Sequence, residues 1–375
     1  MLQYLWNILM TSKMSSALAG KKWLLKMSAI VLIVAAVFLL LSANTTNCAY
    51  IDRDGRIAIS IPGLSDGNEF NEGIAAIKIE RGWGYINKKG AWIIPPQFAN
   101  ARNFSEGLAA VQIGKARFAY IRPDASAAFE VKADAVGDFH EGIAMVANQG
   151  LCGYINKQGK FVIPQDYVFD GYHYSSDGAI PVKIKTKNPV EASWVLIDQL
   201  NHPIFKTNFF GASEVSDQVA GICVAVKNKE TTTESDKSES AKHALSKQGS
   251  QVHDLRWGYI DKAGNYVIQP QFLAAEPFSD GMASVAIELS NTHPTHLIYT
   301  YTDKTGKQLP FKLKNAGRFS DGLAPVRTQG KEYFGYIDKT GAFKISPRFS
   351  RADRFAEGLA FTRRPAFSRW WWEAY

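Results

Sequence analysis

The sequence predicts an all-β fold: a tandem array of about eight three-stranded antiparallel units after an N-terminal hydrophobic helix. Three observations carry this prediction. One hexapeptide signature returns about every 35 residues, a second is interleaved with it at fixed spacing, and one apolar run stands alone near the amino terminus. Composition agrees: the 375 residues are 46% apolar and 21% charged, too apolar for a disordered chain and enough for a packed core.

The apolar run is thirteen residues without interruption from Ala29 to Leu41, and spans Met27 to Ala43 if two serines are admitted. Lys21, Lys22 and Lys26 precede it. A basic flank, a hydrophobic segment and a polar exit predict export, with residues 1–26 as a cytoplasmic basic region and 27–43 as a signal or membrane-spanning segment. Cys48 follows closely enough to be a candidate for lipidation, although Thr45-Thr46-Asn47 is an unusual approach to such a cysteine. The first 49 residues also hold four Lys and no acid, so the formal net charge of +8 leaves only +4 for the rest. That is too little for a nucleic-acid surface, and three Cys are too few for a disulfide scaffold.

The first signature reads Phe70-Asn71-Glu72-Gly73-Ile74-Ala75, then Phe104 to Ala109 and Phe139 to Ala144, and returns at Phe278 to Ala283, Phe319 to Ala324 and Phe355 to Ala360. Weaker copies centre on Gly178 and Gly221. The second reads Trp83-Gly84-Tyr85-Ile86-Asn87-Lys88-Lys89-Gly90, repeated at Trp257 to Gly264. An Asp or Asn can open a turn by accepting backbone N–H groups, and the residue three later must tolerate a left-handed conformation. Asp52, Asn87, Arg122, Asn156, Asp198, Asp261, Asp303 and Asp338 take the first place; Gly55, Gly90, Ala125, Gly159, Asn201, Gly264, Gly306 and Gly341 take the second. This predicts hairpins with bulged turns, distorted only where Arg122 and Ala125 replace the turn formers. Short β-branched or aromatic runs follow, which Pro95, Pro164, Pro270 and Pro347 are expected to end for want of a ladder donor. A single unit cannot bury its apolar face, so neighbours must stack.

These residues resemble the bacterial WG-repeat family over about Tyr50 to Arg363. Trp-Gly is intact at Trp83-Gly84 and Trp257-Gly258, and gives way to Phe118-Ala119, Cys152-Gly153, Leu196 without a preceding Gly, Tyr299-Thr300 and Phe334-Gly335. The resemblance implies a β-repeat protein that binds partners rather than one that catalyses. A closed propeller-like ring and an open superhelix both remain consistent with an array that begins and ends on half-units. The array is assigned to residues 50–363, interrupted by a Lys-, Glu-, Ser- and Thr-rich tract at 228–254 whose composition predicts disorder, and followed by an aromatic cap at 364–375 containing Trp370-Trp371-Trp372.

No phosphate-binding glycine loop and no paired Cys-x-x-Cys is present, so no cofactor, metal or catalytic residue is predicted. His293 and His296 are too few for a metal site, and Asp52-Arg53-Asp54-Gly55 lacks the downstream Glu of a calcium loop. Glu72, Glu106, Glu141, Asp177, Asp280, Asp321 and Glu357 recur once per unit, which argues for structural carboxylates accepting backbone donors. Cys152 and Cys223 read as buried free thiols, and Trp92 as an exposed ring. The expected function is a non-enzymatic, envelope-associated scaffold for a protein partner, reaching the membrane through its N-terminal segment. A module binding glycan or peptidoglycan is the alternative.

Overall fold

A computed structural model describes residues 47–187, 191, 193–226, 254–289 and 297–365. The signal or membrane-spanning segment 27–43, His293, His296 and Trp370 to Trp372 lie outside the described residues, as does the polar tract except Asp254, which opens the strand Asp254–Asp261. Among the described residues every regular element is a strand, and no helix is long and apolar enough to cross a membrane.

The strands form antiparallel sheets in a propeller-like arrangement. One complete sheet runs Asp66–Gly67, Ile74–Ile79, Gly82–Asn87, Trp92–Phe98 in that order, and another Gly211–Ser216, Val219–Val226, Asp254–Asp261, Tyr266–Phe272. The short first strand is a correction to the three-stranded unit: two residues such as Asp66 and Gly67 carry no alternating pattern to betray them. The first and last described strands meet. Strand Cys48–Ile51 lies between Ile57–Ile59 and Ala360–Arg363, with Tyr50 opposite Phe361, so the arrangement closes on itself.

Local chemistry sets both turns. In the second signature the N–H of each left-handed residue returns to the carbonyl of the opening residue, as from Gly90 to Asn87 at 2.9 Å, while Asn87 Oδ1 accepts from Lys89 and Ala91. The turn at Arg122 is not distorted: Ala125 takes φ 66° and its N–H reaches Arg122 at 2.9 Å. Asp124 accepts from Ser126 at 2.9 Å and supplies from two positions on the carboxylate that Arg122 lacks. In the first signature Glu72 and Gly73 have φ 55° and 76° between the mutually bonded Asn71 and Ile74, a two-residue hairpin of the type that needs two positive φ values. Gly221 does not occupy the corresponding place. It sits inside Val219–Val226, and the turn is made by Asp217 and Gln218 at φ 54° and 72°.

The Gly of Trp-Gly has a packing cause. Trp83 pairs with Phe98 and Tyr85 with Ile94, so the partner strand bulges over Gly84, where a Cβ would lie 2.7 Å from the Ile94 carbonyl oxygen and 2.8 Å from Pro96 N. Gly153, Gly258 and Gly335 are crossed in the same way. The prolines therefore do not end these strands. They occupy the bulge, where no ladder donor is needed, and the strand continues to Phe98. The unit that reads Phe118-Ala119 has Glu130 where others have Pro, and its ladder runs in continuous register from Phe118 to Tyr120, pairing Ala119 with Glu130 with no bulge over it. In the unit read from Leu196, strand Trp194–Ile197 puts Trp194 opposite Lys183, as Trp83 is opposite Lys78, so Trp194 holds the Trp place and Leu196 the Tyr place.

The core lies between sheets. Tyr85 and Ile94 of one sheet pack with Phe104, Val111 and Ala119 of the next. Tyr85 is fully buried, meets Phe104 edge-on at 4.8 Å and donates its hydroxyl to the Arg102 carbonyl at 2.9 Å. Tyr50, Tyr120, Tyr259, Tyr301 and Tyr336 repeat both contacts with the following segment. Each such ring joins two units and keeps its polar end satisfied.

Candidate functional site

The repeated carboxylates face forward to the next unit's turn. The N–H of Gly73 donates to Glu357, Gly107 to Glu72, Gly142 to Glu106 and Gly178 to Glu141, each with an oxygen within 3.1 Å. The N–H of Gln218 donates to Asp177 at 3.3 Å, Gly281 to Asp217 at 2.9 Å, Gly322 to Asp280 at 2.8 Å and Gly358 to Asp321 at 2.6 Å. These bonds form an unbroken cycle. The Lys that follows the opening Asn completes some of the joints: Lys88 Nζ is 2.8 Å from Glu357, and Lys157 Nζ is 3.0 Å from Glu106. Glu357 is held below the usual carboxylate range because Lys88 and the Gly73 N–H outweigh its burial.

Inside this cycle lie two contiguous cavities of about 670 and 480 Å³, sharing Glu69, Asn103, Asp138 and Tyr174. Each of these four immediately precedes Phe70, Phe104, Phe139 or Ser175, the residue that anchors the hairpin, so the repeat delivers one side chain per unit to the axis. Glu214, Arg318 and Arg354 arrive at the same place. Arg102 Nε donates to Asp138 at 2.8 Å and its Nη2 to Tyr174 at 3.0 Å, with its guanidinium 4.3 Å above the Tyr172 ring. Arg351 reaches Asp66 at 2.7 Å and Asp353 at 2.8 Å. Arg318 lies 3.3 Å from both Glu214 and Glu276, and Arg354 pairs with Glu69.

Burial works against the charge of Arg102, but Asp138 overrides it and holds the guanidinium protonated more firmly than usual. Burial also pushes the Tyr174 hydroxyl up to about 12. The Asp353 carboxyl is raised, first by burial and further by Asp66 and Glu69, with Arg351 opposing. The axis thus presents fixed, closely paired charges. Among the described residues no three His, Cys, Asp or Glu side chains are grouped to hold a metal ion.

The residues singled out in the sequence fall elsewhere. Asp52 Oδ1 accepts the Asp54 and Arg56 N–H groups at 3.0 and 2.8 Å, as a turn former does. Cys48 is buried, its Sγ 3.3 Å from Arg363 Nε; lipidation there would require the side chain to leave this sheet. Cys152 and Cys223 are buried on different strands. Trp92 is 37% exposed. The axial residues escaped the sequence reading, although one signal marks them: they vary beside a Phe that repeats.

Five segments match the model of the WG containing repeat, at residues 83–115, 153–187, 257–288, 299–331 and 334–364. The chain thus carries WG repeats at five positions. No curated protein matches it. Similar solved structures include BamB from Moraxella catarrhalis, 10% identical over 86% of this chain and 97% of that one with a TM-score of 0.44. A eukaryotic initiation factor is 12% identical over 85% of this chain and 99% of that one, with a TM-score of 0.46. The C-terminal WD40 domain of Sif2 is 8% identical over 81% and 82%, with a TM-score of 0.39.

Proposed function

We propose that this protein is a non-enzymatic scaffold of the bacterial envelope, built as a closed ring of eight WG-type units and carrying one or more binding faces for another protein. The observation that supports this reading is the carboxylate-to-amide cycle. Its acids are committed to backbone donors of the neighbouring unit, which makes the ring stiff and leaves those groups no catalytic task. A WG-repeat propeller-like fold is in general an interaction scaffold. Residues 27–43 supply the export or anchoring element, and no cofactor is required.

Crosslinking in native membranes, followed by identification of captured proteins, tests the proposal: one partner in stoichiometric amount is expected in the membrane fraction. Recovery of the chain in the soluble cytoplasmic fraction, or the absence of any stoichiometric partner, would overturn it. The exposed rings of Trp92 and Tyr172 favour a second reading, a glycan or peptidoglycan ligand, which cosedimentation with insoluble cell wall would detect.

A further inference from the structure

We propose that the axial cavity binds a ligand bearing ammonium or guanidinium groups, because Arg351 and Arg318, which line it, are each set between two carboxylates, of which Asp66, Asp353 and Glu214 line it as well. Asp66 and Asp353 share Arg351, and Glu214 and Glu276 share Arg318. Each trio keeps one uncompensated negative charge. The remaining axial arginines, Arg102 and Arg354, are matched singly to Asp138 and Glu69 and leave no positive excess. The cavity is therefore negative although residues 50–375 together carry a formal balance of +4, and low-dielectric walls concentrate such a field.

Two independent features point the same way. Six residues before each turn glycine, or its replacement Gln218, stand Gly67, Ala101, Val136, Ala212, Ala275, Ala316 and Ala352; only one unit differs, placing Tyr172 there. That ring is 42% exposed at the cavity lining and already carries the Arg102 guanidinium on one face at 4.3 Å. The site thus shows, with its own side chain, the stacking it offers an incoming cation. The Asp353 carboxyl agrees in part: burial raises it first, Arg351 opposes, and the neighbouring Asp66 and Glu69 raise it further, as an excess of negative charge does. A neutral sugar would find these polar groups committed to ion pairs, and an anion would be repelled.

The cation can come from a free polyamine or from a basic segment of a partner protein. Titration calorimetry on the purified full chain in nonionic detergent, with spermine and with a trilysine peptide as probes, separates the two. Saturable binding of at least one probe is expected, weakened about tenfold in Asp66→Asn and in Tyr172→Ser and reduced by added salt. Binding of spermine alone assigns a small polyamine; binding of the peptide assigns a basic protein segment. No saturable binding of either, affinity unchanged in both variants, or binding of chitotriose in place of the cations would overturn the proposal. If Asp66→Asn does not fold, Tyr172→Ser decides, because it alters a half-exposed ring that no ladder depends on.

Discussion

The Glu357 carboxylate accepts the N–H of Gly73 across 284 residues of sequence, at 3.1 Å. This bond and the pairing of Tyr50 with Phe361 form the seam at which the ring closes. Glu357→Ala should destabilise the fold by about 1 kcal/mol, because a charged hydrogen bond is lost where water can partly replace it. Glu72→Ala should cost less. Its joint to Gly107 has Pro123 at the place from which Lys88 and Lys157 reinforce the joints at Gly73 and Gly142. Urea denaturation of the two variants checks the order, and equal losses would contradict the role given to the Lys.

Gly84 and Gly73 should respond differently to the same substitution. Gly73→Ala meets no atom within 4 Å and carries only the strain of φ 76°, about 1 kcal/mol. Gly84→Ala drives a methyl into the Ile94 carbonyl and should cost about 2 to 3 kcal/mol. Ala119→Gly, at a pair that no bulge crosses, should cost less than about 1 kcal/mol. Thermal melts of the three variants measure this ranking.

Acid should weaken the outer turns before the core. The Asp338 carboxyl is lowered to about 2 by a hydrogen bond from Thr340, with Lys344 and the Thr340 and Ala342 N–H groups adding. Asp198, Asp261 and Asp303 are lowered in the same direction. A depressed folded-state value means that these groups stabilise the fold fully above the ordinary carboxylate range, near about 4, and lose that contribution as pH falls toward 2. Stability measured by urea titration should fall across that window, and Asp338→Asn should flatten the fall.

The thiols should be inert in the native state. Burial pushes both Cys152 and Cys223 up to about 11, with Asp170 adding at Cys152. Iodoacetamide at about pH 8 should leave both unmodified in folded protein and alkylate both after denaturation. Rapid labelling of either in folded protein would contradict their placement.

The parts of this fold legible in the sequence are those made by residues close together in the chain. The turn at Asn87 to Gly90 needs only four residues, and all of them are on view. Gly221 misled because a glycine near the right spacing looked like the turn, whereas the joint between Asp177 and Gln218 tolerates a non-glycine at positive φ. The Pro residues read as strand ends for want of a ladder donor, and only the partner strand shows that they sit in a bulge over Gly84 within a strand that continues. Axial pairs such as Arg102 with Asp138, or Arg351 with Asp66, join residues 36 and 285 apart at positions that do not repeat. Periodicity could not disclose them.

The seam also dictates when the molecule can be finished. Strand Cys48–Ile51 is among the first parts of the array to be synthesised, yet one of its two flanks stays bare until Ala360–Arg363 has been made. A nascent chain therefore carries an unsatisfied β edge for nearly the whole of its translation, and a product stopped short of residue 360 keeps it for good. Completion by the last strand acts as a length check: only a chain translated through to that strand can hide the edge by which it would otherwise stick to its neighbours.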